Sequence, residues 1–331
     1  MKNALVIGGT GFIGSHLAEQ LINKGYKVAV LVRHNSNTIF LQSLGLELRL
    51  GDFLDKDSLV RALKGIDIVF CAANIKPSGK SREDYEKELF RVHVEGTKNL
   101  LAACKACGTR RIIYFSSVAA MGYEKGISLY DDSFKENPID AYGRAKLEAE
   151  IILKAASSNK EADITILRPP GVFGERGLGA LTKIIFFVQK GLVPVIGRGS
   201  NKQSIAYVGN IVNQAIFAAQ NQNSIGRTCI TGDARAYSVN ELISAVCKAM
   251  SRKALRIHIP LFLLMPAFSF FNFLGCIFLR RKIINKESII AIATQRVFDS
   301  SKIFKELGYK QEYDLEESIK RTVSWYKKKD A

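Results

Sequence analysis

The chain lacks a disulfide framework. Its six cysteines (Cys71, Cys104, Cys107, Cys229, Cys247 and Cys276) are scattered rather than set at paired spacings. That excludes a small secreted scaffold and points to a reducing, cytoplasmic setting. Cys104 and Cys107 make one Cys-x-x-Cys, but no second pair accompanies them and the four histidines are dispersed, so no metal centre is expected. Lys2 precedes an apolar run that breaks at once into a glycine turn with no small-residue cleavage site, so no signal peptide is expected. Internal repeats and low-complexity linkers are missing too. Acid is scarce: 48 Lys and Arg stand against 31 Asp and Glu, a net charge of +17. The excess is spread along the chain, with clusters at Arg280-Arg281-Lys282 and Lys327-Lys328-Lys329. No aromatic platform or nucleic-acid motif is interleaved with it, so anionic ligands or membranes are the expected partners rather than nucleic acid.

What is present begins seven residues in. Residues 2–7 read as a short buried strand, and residues 15–24 place Leu17, Leu21 and Ile22 at helical spacing before Gly25. Between them lies Gly8-Gly9-Thr10-Gly11-Phe12-Ile13-Gly14. Gly8, Gly11 and Gly14 permit a tight turn, a close backbone approach to a pyrophosphate, and close packing of helix on strand. The helix N-terminus adds unpaired N–H groups and the positive end of its dipole. This is a dinucleotide-binding pattern.

The following strand, residues 28–32, ends at Arg33. A 2′-hydroxyl of NAD calls for Asp or Glu near this point, about 20 residues on, yet the next acid is Glu47. A guanidinium suits a 2′-phosphate, with His34 and Ser36 as helpers, so the expectation is NADP(H), with NAD(H) as the alternative. Strands and helices then alternate: strands at 46–50, 67–70, 111–115 and 163–167, helices at 56–63, at 85–107 and around Tyr142. The alternation implies an α/β fold with a doubly wound parallel Rossmann sheet. Ligands in such sheets lie beyond the carboxyl ends of the strands, where Gly8, Arg33, Ala72 and Ser116-Ser117 fall.

Tyr142 and Lys146 share a helix face at i and i+4. A phenol titrating at about 10 is a poor base at neutral pH, and a neighbouring cation is expected to lower that value. Ser117, at a strand end, is placed to hold a substrate oxygen while Tyr142 moves its proton.

These residues resemble the extended short-chain dehydrogenase/reductases, the group that includes nucleotide-sugar epimerases, dehydratases and 3β-hydroxysteroid dehydrogenases. The resemblance runs from Gly8–Gly14 through Gly51-Asp52, Ala72-Ala73, Val94-Glu95-Gly96-Thr97, Phe115-Ser116-Ser117, Tyr142-x-x-x-Lys146 and Leu167-Arg168-Pro169. It continues to Tyr207-Val208-Gly209-Asn210 and Phe298-Asp299-Ser300-Ser301-Lys302. It implies a catalytic group of Ser117, Tyr142 and Lys146. Cofactor contacts fall on Gly8, Gly11, Phe12, Ile13, Gly14, Arg33, Asp52, Phe53, Ala72, Ala73, Tyr142, Lys146 and Pro169. It also implies a Rossmann domain over 1–170 and about 205–232, and a smaller substrate domain over 171–204 and 233–331. A homodimer stays open.

Departures point to the substrate. Cys71 stands where many members have histidine, and His93 where many have asparagine. Gln203 replaces an arginine that grips a diphosphate, and residues 288–295 supply no clear second one, although Arg198 and Lys202 lie near. Tyr207-Val208-Gly209-Asn210 looks more like the steroid branch. Residues 259–279 are almost continuously apolar, 21 in length, though broken by Pro260 and Pro266. With Arg280-Arg281-Lys282 they suggest a lid helix or peripheral membrane contact through 259–282. The reading is an NADP(H)-preferring oxidoreductase of a secondary alcohol or ketone, lipid-like in character. The alternatives are a nucleotide-sugar 4-epimerase or dehydratase, and a non-catalytic nucleotide sensor on the same fold.

Overall fold

The computed structural model describes residues 2–75, 81–124, 126–131, 133–177, 179–262 and 294–330. At its centre are seven parallel strands: β1 (Asn3–Ile7), β2 (Lys27–Val32), β3 (Glu47–Leu50), β4 (Ile68–Cys71), β5 (Arg111–Phe115), β7 (Asp163–Arg168) and β12 (Thr228–Ile230). Their order is β12-β7-β5-β4-β1-β2-β3. The chain lays β1, β2 and β3 outward in one direction, then returns to place β4 on the other side of β1. That reversal opens a crevice at the carboxyl ends of β1 and β4, where ligands of doubly wound sheets sit.

The central strands are largely apolar because both faces are covered, whereas the edge strand β3 carries Glu47 and Arg49 and is only partly buried. Ala4, Val6, Val28 and Val30 pack on one side with Leu17 and Leu21 of α1 (Phe12–Asn23) and Ile211 and Ala215 of α8 (Val208–Gln220). The alternate residues Leu5, Ile7, Ala29 and Leu31 pack on the other side, against α3 (Lys56–Leu63), α5 (Gly96–Cys107) and α6 (Ala141–Ser158). Burial on both faces explains why period-2 alternation is absent from the sequence.

Two boundaries differ from expectation. Helix α1 begins at Phe12 rather than at residue 15, with Gly11 as its extended N-cap, so half of the glycine motif is helix. The helix expected over 85–107 begins earlier and is divided: α4 (Arg82–Phe90) passes through a widened π turn, Arg91–Glu95, into α5. Such turns concentrate at functional sites, and this one carries His93.

The remaining strands pair in twos: β6 (Leu129–Tyr130) with β15 (Val297–Phe298), β8 (Gly171–Phe173) with β11 (Ile205–Tyr207), β9 (Leu192–Ile196) with β14 (Leu255–Ile259), and β10 (Lys202–Gln203) with β13 (Tyr237–Ser238). Helices α7 (Ala180–Gln189) and α9 (Val239–Met250) pack on them. The apolar cluster on the α1 face runs on through Ile185, Val193, Val195, Ile243 and Val246 without interruption. Of the apolar stretch 259–282, residues from 263 onward lie outside the described residues. Among the described residues no helix is long and apolar enough to cross a membrane.

Candidate active site

The glycine motif forms a cradle that side chains would fill. Gly8 has φ +82°, and a Cβ there would stand 2.5 Å from the carbonyl oxygen of Ala72. A Cβ on Gly14 would lie 2.2 Å from the carbonyl oxygen of Gly8. The turn closes with the Gly11 N–H donating to the Gly8 carbonyl at 2.9 Å. The ends of β1 and β4 and the start of α1 therefore meet in bare backbone, a surface suited to a pyrophosphate. The same cradle brings together Gly8, Gly11, Gly14, Ala72 and Ala73 of the expected cofactor set. The Phe12 side chain packs under Gly177, and that of Ile13 packs against the core.

Three local interactions bring the phenol and the serine together. Ser117 caps the 3₁₀ turn Val118–Ala120, its Oγ accepting from the Ala119 N–H at 3.1 Å. Asp140 caps α6, its Oδ1 accepting from the Gly143 N–H at 2.7 Å. Gly143 then allows close approach, since a Cβ there would lie 2.2 Å from the carbonyl oxygen of Ala119. Pro169 ties in through its carbonyl, which accepts from the Val118 N–H at 3.1 Å. One helical turn beyond Tyr142, Lys146 is fully enclosed and donates to the Phe115 carbonyl at 2.7 Å. Its Nζ lies 5.9 Å from the centre of the Tyr142 ring.

The expected depression of the Tyr142 phenol is corrected by this enclosure. Burial pushes Tyr142 up to about 12, against the opposing pull of Ser117 and Asn74. Burial likewise pushes Lys146 down to about 8, against the carboxylate of Glu150 and the Cys71 thiol. Loss of water around each group outweighs the opposing pull of its neighbours.

Two further groups complete the cluster. Glu150 lies one more turn along α6, making Tyr142, Lys146 and Glu150 a single stripe. It is fully buried, accepts from Ser116 Oγ at 2.5 Å, and forms a two-point pair with Arg168 at 2.9 and 2.6 Å. The period of four was visible in the sequence, but burial of the acid was not. His93 packs edge-on to Tyr142, ring centres 5.8 Å apart, with both ring nitrogens buried and without a hydrogen-bond partner among the described residues. Burial, and then the Lys146 charge, lower its pKa to about 2.

That enclosure has a pH consequence. With the folded value below the unfolded 6.5, the unfolded chain takes up the proton first as pH falls. Stability present above pH 6.5 is thus lost on acidification, by roughly 1.4 kcal/mol per pH unit from this group. Denaturant titrations between pH 7 and 5 should show His93→Asn losing about that much slope; an unchanged slope would mean that the ring is reached by water.

The adenosine end differs from expectation. Asp52 spends one carboxylate oxygen on the Leu54 N–H at 2.9 Å, and Phe53 is buried beneath Gly96. Arg33 and His34 are exposed, and Ser36 Oγ accepts from the Arg33 backbone N–H at 3.0 Å, a local turn at a strand end. On the substrate side, the Gln203 amide donates to the Thr294 carbonyl. An arginine nevertheless stands beside it: Arg296 bridges Gln203, and its guanidinium stacks on Tyr123 at 3.3 Å from the ring centre. It falls one position past the stretch searched in sequence, so only the pairing of 202–204 with 296 reveals it.

The family model for the NAD dependent epimerase/dehydratase family matches residues 4–230. An N-acetyl-α-D-glucosaminyl-diphospho-ditrans,octacis-undecaprenol 4-epimerase of Escherichia coli O157:H7 is 29% identical over 98% of this chain and 95% of its own. A human sterol-4-alpha-carboxylate 3-dehydrogenase (decarboxylating) is 30% identical over 78% of this chain and 69% of its own. Among solved structures, the UDP-glucuronic acid 4-epimerase of Bacillus cereus in complex with NAD superimposes with a TM-score of 0.77 at 23% identity, covering 99% and 100% of the two chains. The preference for NADP(H) drawn from Arg33 does not stand. The matching family is described as NAD dependent, three solved neighbours of the same fold hold NAD, and Arg33 is an exposed side chain at a strand end.

Proposed function

We propose, from the premise that this chain belongs to the NAD-dependent epimerase/dehydratase family, that it is an NAD-dependent 4-epimerase of a sugar carried on a diphosphate. The observation that carries the reading is the cluster of half-buried Ser117 and Tyr142 with buried Lys146 beyond the carboxyl end of β5. A sensor has no need of a proton-transfer group. Similarity to the 4-epimerase of a lipid-diphosphate sugar is 29% over 98% of this chain, against 26% over 97% for a mouse sterol-4-alpha-carboxylate 3-dehydrogenase, and solved 4-epimerases of UDP-sugars superimpose over nearly the whole chain. This favours the sugar over the lipid-like alcohol as the reacting part.

NAD fits the cradle of Gly8, Gly11 and Gly14, where its pyrophosphate would meet backbone N–H groups and the start of α1. When bound, it supplies reversible acceptance of a hydride. The remaining work belongs to the chain. Ser117 holds the O4 oxygen, and Tyr142 takes up and returns its proton. Lys146 places a positive charge beneath the phenol and would donate to the nicotinamide ribose. Arg296, stacked flat on Tyr123, keeps a fork of N–H groups for a diphosphate, the role that the neutral amide of Gln203 leaves unfilled.

The test supplies NAD with UDP-N-acetylglucosamine in one arm and the polyprenyl-diphosphate-linked sugar in the other, and follows the C4 configuration by NMR. Interconversion of gluco and galacto forms without net accumulation of reduced nucleotide is expected in at least one arm. Stoichiometric reduction of NAD by a sterol alcohol, with no exchange at C4 in either arm, would overturn the assignment.

A further inference from the structure

The parallel pair β9/β14 shows two contrasting faces. Val193 and Val195 point into the core at 2% and 1% exposure. The register sets Leu192 beside Leu255 and Pro194 beside Ile257 on the opposite face. There Leu192, Leu255 and Ile257 are 43%, 66% and 42% exposed, with Phe186 and Phe262 exposed nearby in the chain. Single exposed apolar residues are ordinary; four in register across two strands form a patch.

The margin of this patch is basic. Both strands enter from exposed cations, Lys190 before β9 and Arg252 and Lys253 before β14. Arg252 is fixed there by donating to the Gln189 carbonyl at 2.9 Å, which joins the two strand entries. No acid balances them in sequence: residues 176–232 contain six Lys and Arg and no Asp or Glu, and residues 242–286 contain eight and none. These two stretches hold most of the excess charge of the chain.

We infer that the outward face of β9/β14 docks on an anionic lipid bilayer, with Leu192, Leu255 and Ile257 entering the interface and Lys190, Arg252 and Lys253 meeting the headgroups. An apolar patch with exposed Lys190, Arg252 and Lys253 at its margin matches that surface in both respects. A second copy of this chain matches it in only one, since pairing would bring two positive margins together. The inference goes beyond the proposed reaction and does not depend on it.

The experiment is cosedimentation of the full chain with vesicles of phosphatidylglycerol or of phosphatidylcholine, at low and high salt, without substrate. The wild type should pellet with phosphatidylglycerol and far less with phosphatidylcholine. Leu192→Glu/Leu255→Glu alters only exposed side chains and should lower the partition at least ~10-fold, while C4 exchange on a water-soluble substrate stays intact. Arg252→Glu/Lys253→Glu should lower it by about fivefold or more per residue and remove most of its salt dependence. Failure to pellet with either vesicle would overturn the inference. So would a Leu192→Glu/Leu255→Glu variant that pellets like the wild type, or a wild-type dimer that this variant dissolves without any vesicle binding. None of these outcomes bears on the C4 assay.

Discussion

Tyr142→Phe is expected to lower turnover at least ~100-fold, the low end for loss of a positioned general acid–base, while NAD affinity barely changes. The phenylalanine keeps the ring that packs on His93 and lies above Lys146, so the enclosure survives and only the hydroxyl is lost. Lys146→Met should damage both turnover and NAD affinity. It removes the charge beneath the phenol, the bond to the Phe115 carbonyl and a donor to the ribose. Single-turnover rates at saturating substrate, beside NAD titrations of each variant, separate the two effects. Near-normal turnover in Tyr142→Phe would move the proton transfer to another group. Equal loss of NAD affinity in both variants would mean that Tyr142 is a packing residue.

The pieces legible in sequence are those set by backbone geometry. Gly8 and Gly14 were readable because no other residue fits where β1, β4 and α1 converge, and the closeness of the Ala72 and Gly8 carbonyls confirms it. The parallel sheet was readable because strands buried on both faces cannot alternate. Properties that depend on surroundings are not legible in the same way. Arg33 suggests a 2′-phosphate by its type, but its exposure and its local turn with Ser36 give it no pocket. Lys146 suggests a depressed phenol by its spacing, but the spacing says nothing of the water excluded from both groups. Arg296 was missed because its partner, Gln203, is 93 positions away in the chain. Glu150 was missed because an acid on a helix is ordinarily a surface residue; here Arg168, delivered by the end of β7, makes its burial tolerable.

Arg168→Met should therefore be among the most destabilising single changes in the protein, at about 3–5 kcal/mol. The guanidinium is 4% exposed and donates to both oxygens of Glu150 and to Glu136 at 2.8 Å. Without it, Glu150 keeps only the Ser116 hydroxyl at 2.5 Å and the half-exposed Lys154 ammonium at 3.5 Å. That leaves a carboxylate in the apolar layer directly beneath Lys146, and an unpaired buried charge costs more than a missing pair. The double variant Arg168→Met/Glu150→Leu removes both charges and should regain most of the loss, although each substitution alone is damaging. Urea denaturation of the four proteins in the cycle measures the coupling between the two sites. A loss below about 1 kcal/mol in Arg168→Met would show that water reaches Glu150. A double variant no better than the worse single one would show that the pair is held for its shape, with Ser116 and the end of β7 depending on both side chains to keep the Ser117 turn in place beside Tyr142.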